Sequence, residues 1–156
     1  MPKMKPLQEW VCDICGKLVD IDSGWVEWLS PLGGGPHSFR IEHNREQCHQ
    51  HTDAPDRSDT HLHVFLGTEG LQFFLSMLDV GLLLDPSGDH MRTLPEMRSF
   101  VDTVRRLHIP YCEEARQYFS KVDADGQFSG QNEVSVFLPE TCKAIIERYE
   151  WPSKDG

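Results

Sequence analysis

The feature that most restricts what this chain can fold into is Cys12–Asp13–Ile14–Cys15–Gly16. Two thiolates separated by two residues can fold back onto one cation, and a glycine directly after the second permits the tight turn this needs. A closed tetrahedral site takes two more ligands, and Cys48–His49–Gln50–His51 offers Cys48 and His51 at the matching interval. The expected ligand set is therefore Cys12, Cys15, Cys48 and His51. His49 is an alternative fourth ligand, and His43 is either a hydrogen-bonding neighbour or a further alternative. Zinc suits such a set best, with iron second, and one structural Zn2+ is expected. A redox Cys-x-x-Cys pair would open a helix after a strand, whereas Gly16 and the hairpin pattern that follows point away from that.

The 32 residues between Cys15 and Cys48 need a route back to the starting point, and the pattern supplies one. Residues Trp25 to Leu29 read as a strand, and Ser38 to His43 alternate with a period of two. The stretch Ser30–Pro31–Leu32–Gly33–Gly34–Gly35–Pro36 between them is a loop. It has no following Lys-Ser/Thr and so does not read as a phosphate loop. At this point residues 12–51 resemble the zinc-ribbon and treble-clef class of zinc knuckles. That resemblance implies a Cys-x-x-Cys knuckle, a β-hairpin and a second ligand pair around structural zinc.

A polar stretch from His51 to Thr60 reads as an exposed loop or linker, and His61 to Leu66 as one more strand. Its histidines, His61 and His63, would share a face opposite Leu62 and Val64, where they could flank a second metal site, although two surface histidines need no function. From Thr68 the period becomes helical. Leu71, Phe74, Leu75 and Leu78 form one stripe, with Thr68 as the expected N-cap. Thr93 and Glu96 have the spacing of a capping box before a helix that buries Met97, Phe100 or Val101, Val104 and Leu107. A third helix with Cys112, Ala115, Phe119 and Val122 inward is expected to start near Pro110, and a last one to open at Pro139. Residues 123–130 read as a loop and Val134 to Leu138 as a short extended piece. Asp123–Ala124–Asp125–Gly126 lacks the register of a calcium loop, since Phe128 and Val134 fall where glycine and glutamate belong.

The expected architecture is α+β: a zinc-stapled β-hairpin unit over 10–66 packed on about four helices over 68–151, as a single domain over 1–156. With 15 basic and 25 acidic side chains the formal charge is −10, which disfavours wrapping a nucleic-acid backbone. Residues 1–51 carry five of the basic and seven of the acidic groups, so the acidity lies in the remainder. Five cysteines with no secretory leader pattern fit a reducing, cytoplasmic setting, with Cys112 and Cys142 as buried apolar side chains. No apolar run approaches the ~20 residues of a membrane span.

The function expected is that of a non-enzymatic binding or adaptor protein, its partner a protein or a second copy of itself. Trp25 and Trp28, of opposite strand parity, are the candidate interaction surface. Two alternatives stand beside it. One is a metal-dependent nuclease of treble-clef type built on His43. The other is a helix-turn-helix regulator using residues 93–122, against which stand Glu113 and Glu114 in the first turn of its recognition helix.

Overall fold

The computed structural model describes residues 4–32, 34–44, 48, 54–79, 81, 83–88 and 94–150. The fold class is α+β. Two short strands, β1 (Glu9–Val11) and β2 (Leu18–Asp20), form an antiparallel ribbon, and the knuckle bearing Cys12 and Cys15 is its turn. A second antiparallel sheet has the order β4–β3–β5, with β3 spanning Gly24–Leu29, β4 His37–His43 and β5 Arg57–His61. Trp25 stands opposite Glu42 on one side and His61 on the other.

Alternation along β3 and β4 sorts the sheet into two unlike faces. Val26, Phe39 and Ile41 are buried in the apolar core. Trp28 packs beside them, 5.9 Å from the Phe39 ring and 5.8 Å from that of Phe65. The opposite face carries charge: Glu27 accepts from Arg40 Nε at 2.7 Å and from Arg57, and Arg57 also bonds Asp59 at 2.9 Å. Glu27 and Glu42 are both buried, which is sustainable because arginines lie against them.

The strand expected over residues 61–66 lies earlier. Strand β5 ends at His61, and Leu62–Phe65 form a single 3-10 turn. A turn of three residues brings Leu62 and Phe65 to the same side, and both are buried; a strand would have exposed one of them. The polar stretch before it is thus part strand from Arg57; His51, Thr52 and Asp53 lie outside the described residues.

Helix α1 (Gly67–Leu78) follows at once. Its N-cap is Leu66, not the expected Thr68, and its inner face is Gly70, Phe74 and Met77. Leu71 and Leu75, expected inward, are 41% and 50% exposed. The shift has a steric cause: Gly70 sits on the backbone of Phe65, where a Cβ would overlap the carbonyl group, so this glycine face is the one that can dock.

Helix α2 (Met97–His108) begins three residues later than a box at Thr93 would place it. Pro95 disfavours helical geometry at the residue before it, and Glu96 itself becomes the cap, accepting from Ser99 N at 2.9 Å. Thr93 lies outside the described residues. Phe100, Thr103, Arg106 and Leu107 are buried, with Val101 and Val104 partly so, while Met97 is 59% exposed and not part of the core.

The third expected helix is two: α3 (Cys112–Arg116) and α4 (Phe119–Ala124). Where an extended piece was expected, Glu133–Val136 form one helical turn, α5, capped by Asn132. Helix α6 (Pro139–Glu150) opens at the proline as expected. The apolar side chains gather in two clusters. One joins both sheets to α1 and α2; the other, Cys112, Ala115, Val122, Cys142 and Ile145, lies among α3, α4 and α6. Cys112 and Cys142 share a hydrogen bond there, which pushes the first thiol up and draws the second down. No helix among the described residues is long and apolar enough to cross a membrane.

Candidate metal centre

The knuckle is built by backbone geometry before any ligand is considered. Gly16 N–H donates to the Cys12 carbonyl at 2.9 Å, and Cys12 N–H donates to that of Lys17 at 2.9 Å. Gly16 takes φ +71°, the left-handed region that a glycine enters without steric cost. The turn thereby presents Cys12 and Cys15 on one side. Strand β4 runs beside it: Asp13 N–H donates to Ile41 O at 2.8 Å, and Ile41 N–H returns to Asp13 Oδ2 at 2.7 Å. This pairing carries the end of β4, and with it His43, to the knuckle. One turn on, Cys48 N–H donates to Asn44 O at 3.0 Å.

The outcome is a four-membered cluster of Cys12, Cys15, His43 and Cys48, whose ligand atoms all lie within 4.8 Å of one another. Cys12 Sγ and Cys48 Sγ are 3.8 Å apart, and Cys15 Sγ is 3.5 Å from His43 Nδ1. The other ring nitrogen of His43 is 3.0 Å from Leu18 O, to which it can only donate. That bond fixes the tautomer: the proton sits on Nε2, and the Nδ1 lone pair faces the sulfurs. Cys12 and Cys48 are buried and Cys15 is exposed.

Without a cation, the neighbouring groups perturb the thiols of Cys48 and Cys15. Burial and hydrogen bonding with Cys15 and Cys12 push the Cys48 thiol up to about 12. For Cys15 burial works in the same direction but is outweighed. The Lys17 amide, the thiols of Cys12 and Cys48, and the Lys17 charge bring it below the ordinary thiol value. Such a cluster can hold a metal ion through soft sulfur and imidazole donors.

The structure thus brings Cys12, Cys15 and Cys48 together with His43, whose position at the end of an alternating strand was visible in sequence. His49 and His51 lie outside the described residues. Trp25 and Trp28 are each half-buried on opposite faces of β3, Trp25 against the His61 ring at 3.9 Å. Trp28 borders an open groove of about 480 Å³ shared with Pro36, Phe73 and Met77. His61 and His63 stack at 5.4 Å.

Sequence reasoning missed what anchors the knuckle to the helices. Arg106, in the last turn of α2, is buried between two carboxylates. Its Nη1 donates to Asp13 at 2.9 and 2.7 Å, its Nε to Glu113 at 2.7 Å, and its Nη2 to Val11 O at 2.9 Å. Glu113 also accepts from Val11 N–H at 2.8 Å, and Trp10 Nε1 donates to Arg106 O at 3.0 Å. Burial alone would lower the Arg106 pKa, but the charges of Glu113 and Asp13 more than reverse this and keep the guanidinium ionised. An arginine on the apolar face of α2 was the only available signal.

Both ring nitrogens of His43 have partners, Nδ1 the Cys15 sulfur and Nε2 the Leu18 carbonyl. Helix α3 is five residues long and buries Glu113 and Glu114. No protein-family model, no curated protein and no solved structure matches the chain.

Proposed function

We propose that this is a non-enzymatic binding or adaptor protein, a single domain whose β unit is held by one structural zinc ion on Cys12, Cys15, Cys48 and His43. The observation that carries the reading is the spacing of the donors. A tetrahedral zinc site with bonds of about 2.3 Å to sulfur and about 2.0 Å to nitrogen has S–S edges of about 3.8 Å and S–N edges of about 3.5 Å. Here the Cys12–Cys48 edge is 3.8 Å and the Cys15–His43 edge 3.5 Å, and the other four edges lie within 4.8 Å. Four protein ligands leave no position for water or substrate, which favours a structural over a catalytic ion. In this reading the site is similar to zinc-ribbon and treble-clef knuckles, in a reducing cytoplasmic setting. The partner is a protein or a second copy of the chain, met at the Trp28–Phe73 groove.

Elemental analysis of protein purified without chelator tests the metal. One zinc per chain is expected in the wild type and in His51→Ala, and loss in Cys12→Ser and His43→Ala. Structural zinc is worth on the order of 10 kcal/mol of folding free energy, so a strong chelator should also lower the melting temperature. Metal-free wild type, kept reduced, would overturn the reading. Retention of zinc in His43→Ala with loss in His51→Ala would move the fourth ligand to His51.

A further inference from the structure

The five thiols differ sharply in access. Cys12, Cys48, Cys112 and Cys142 are each 3% exposed or less, and Cys15 alone reaches the surface. A solvent oxidant therefore meets the cluster at one atom. The other two sulfurs of the cluster lie within 4.8 Å of it, and closing that gap to a disulfide bond of about 2.05 Å pulls on the knuckle turn. Of the two residues between Cys12 and Cys15, Asp13 holds Arg106 through two hydrogen bonds and Ile41 through two more. Any change in the knuckle is thus delivered directly to the clamp between sheet and helices.

We infer that the centre is a peroxide-sensitive latch: oxidation entering at Cys15 expels the metal and frees Asp13 from Arg106. The inference rests on the metal reading above. The chemistry needs only a hydroperoxide as oxidant. The Cys15 thiolate attacks the nearer peroxide oxygen, the S–O bond forms as the O–O bond breaks, and the departing oxygen takes a proton to leave as water or an alcohol. The sulfur of Cys12 or Cys48 then attacks the sulfenic acid; an S–S bond forms, the S–O bond breaks, and hydroxide leaves and is protonated to water. Two thiolates lose two electrons in total and the peroxide gains them. One thiolate and His43 are left, too few ligands to retain the ion, which leaves unchanged as a cation. A thiol reductant with fresh metal reverses the sequence.

The test uses the full chain loaded with zinc, titrated with hydrogen peroxide in the presence of a chromogenic zinc chelator, beside Cys112→Ala/Cys142→Ala. Both proteins should release one zinc as two thiols disappear per chain. Mass mapping should find Cys15 joined to Cys12 or Cys48, and thiol reductant with zinc should restore the starting state. Amide exchange at Asp13 and Ile41 should rise at least tenfold on release. Zinc held against excess peroxide overturns the inference while leaving the metal reading intact. So does zinc lost with Cys15 still reduced, or release with the Asp13 and Ile41 amides unchanged. A wild-type chain that carries no metal at the outset overturns both.

Discussion

Replacing Arg106 by methionine tests the packing account where it is most exposed to error. The side chain is fully buried and donates to Asp13, to Glu113 and to the Val11 carbonyl. Methionine fills similar apolar volume but supplies no donor, so Glu113, 2% exposed, keeps its carboxylate beside an apolar stem. Removing one partner of a buried charge pair costs about 3–5 kcal/mol, most of it the stranded charge and not the lost attraction. For a chain of this length each kcal/mol moves the melting temperature by about 2–4 °C, so the midpoint should fall by on the order of 10 °C. Adding Glu113→Gln removes the stranded charge while keeping an acceptor for Val11 N–H. The double variant should therefore recover about 1–3 kcal/mol relative to the sum of the singles. Urea unfolding followed by circular dichroism reads all four proteins. A loss under about 1 kcal/mol for Arg106→Met, or strict additivity in the cycle, would show that the clamp does not join knuckle to helices as described.

Three other outcomes follow from single features. Glu96 caps α2, and its carboxyl is held below the usual range by hydrogen bonds from the Ser99 side chain and amide. Glu96→Ala should cost about 1 kcal/mol at neutral pH, and because the folded pKa is the depressed one, the wild-type advantage should fade as pH falls through it. Gly70→Ala should destabilise by about 3 kcal/mol in thermal melts, because the new methyl overlaps the Phe65 carbonyl; a loss below half of that would mean α1 does not sit on the 3-10 turn. With its pKa pushed up to about 12, Cys48 is a neutral thiol at pH 7 in the metal-free chain, so binding must expel its proton. Zinc affinity measured by competition should weaken about tenfold or more for each unit the pH is lowered, and a flat profile between pH 6 and 8 would exclude Cys48 as a ligand.

Strands β3 and β4 and helix α6 were legible in the sequence because alternation, a helical period and an opening proline each point one way. Helix α1 was legible as a helix but not in its orientation: Leu71, Phe73, Phe74, Leu75, Met77 and Leu78 are apolar nearly all round, and Gly70 decides which side docks. Strand β5 was hidden because its charged residues, Arg57 and Asp59, look like a solvated loop until Glu27 is placed opposite them. Of the metal centre, the spacing exposed Cys12, Cys15 and Cys48. His43 was legible as an inward-facing residue, but its distance to Cys15 depends on the Asp13–Ile41 pairing. The Arg106 clamp spans 93 residues of sequence, and no local pattern records a partner so far away.

The most direct test of the central claim is the X-ray absorption spectrum of the zinc-loaded protein, recorded beside that of His43→Ala reconstituted with excess zinc. The account predicts three sulfurs at about 2.3 Å and one nitrogen at about 2.0–2.1 Å in the wild type, with the imidazole signature lost in the variant. A shell dominated by oxygen, fewer than three sulfurs, or a variant spectrum identical to the wild type would contradict it.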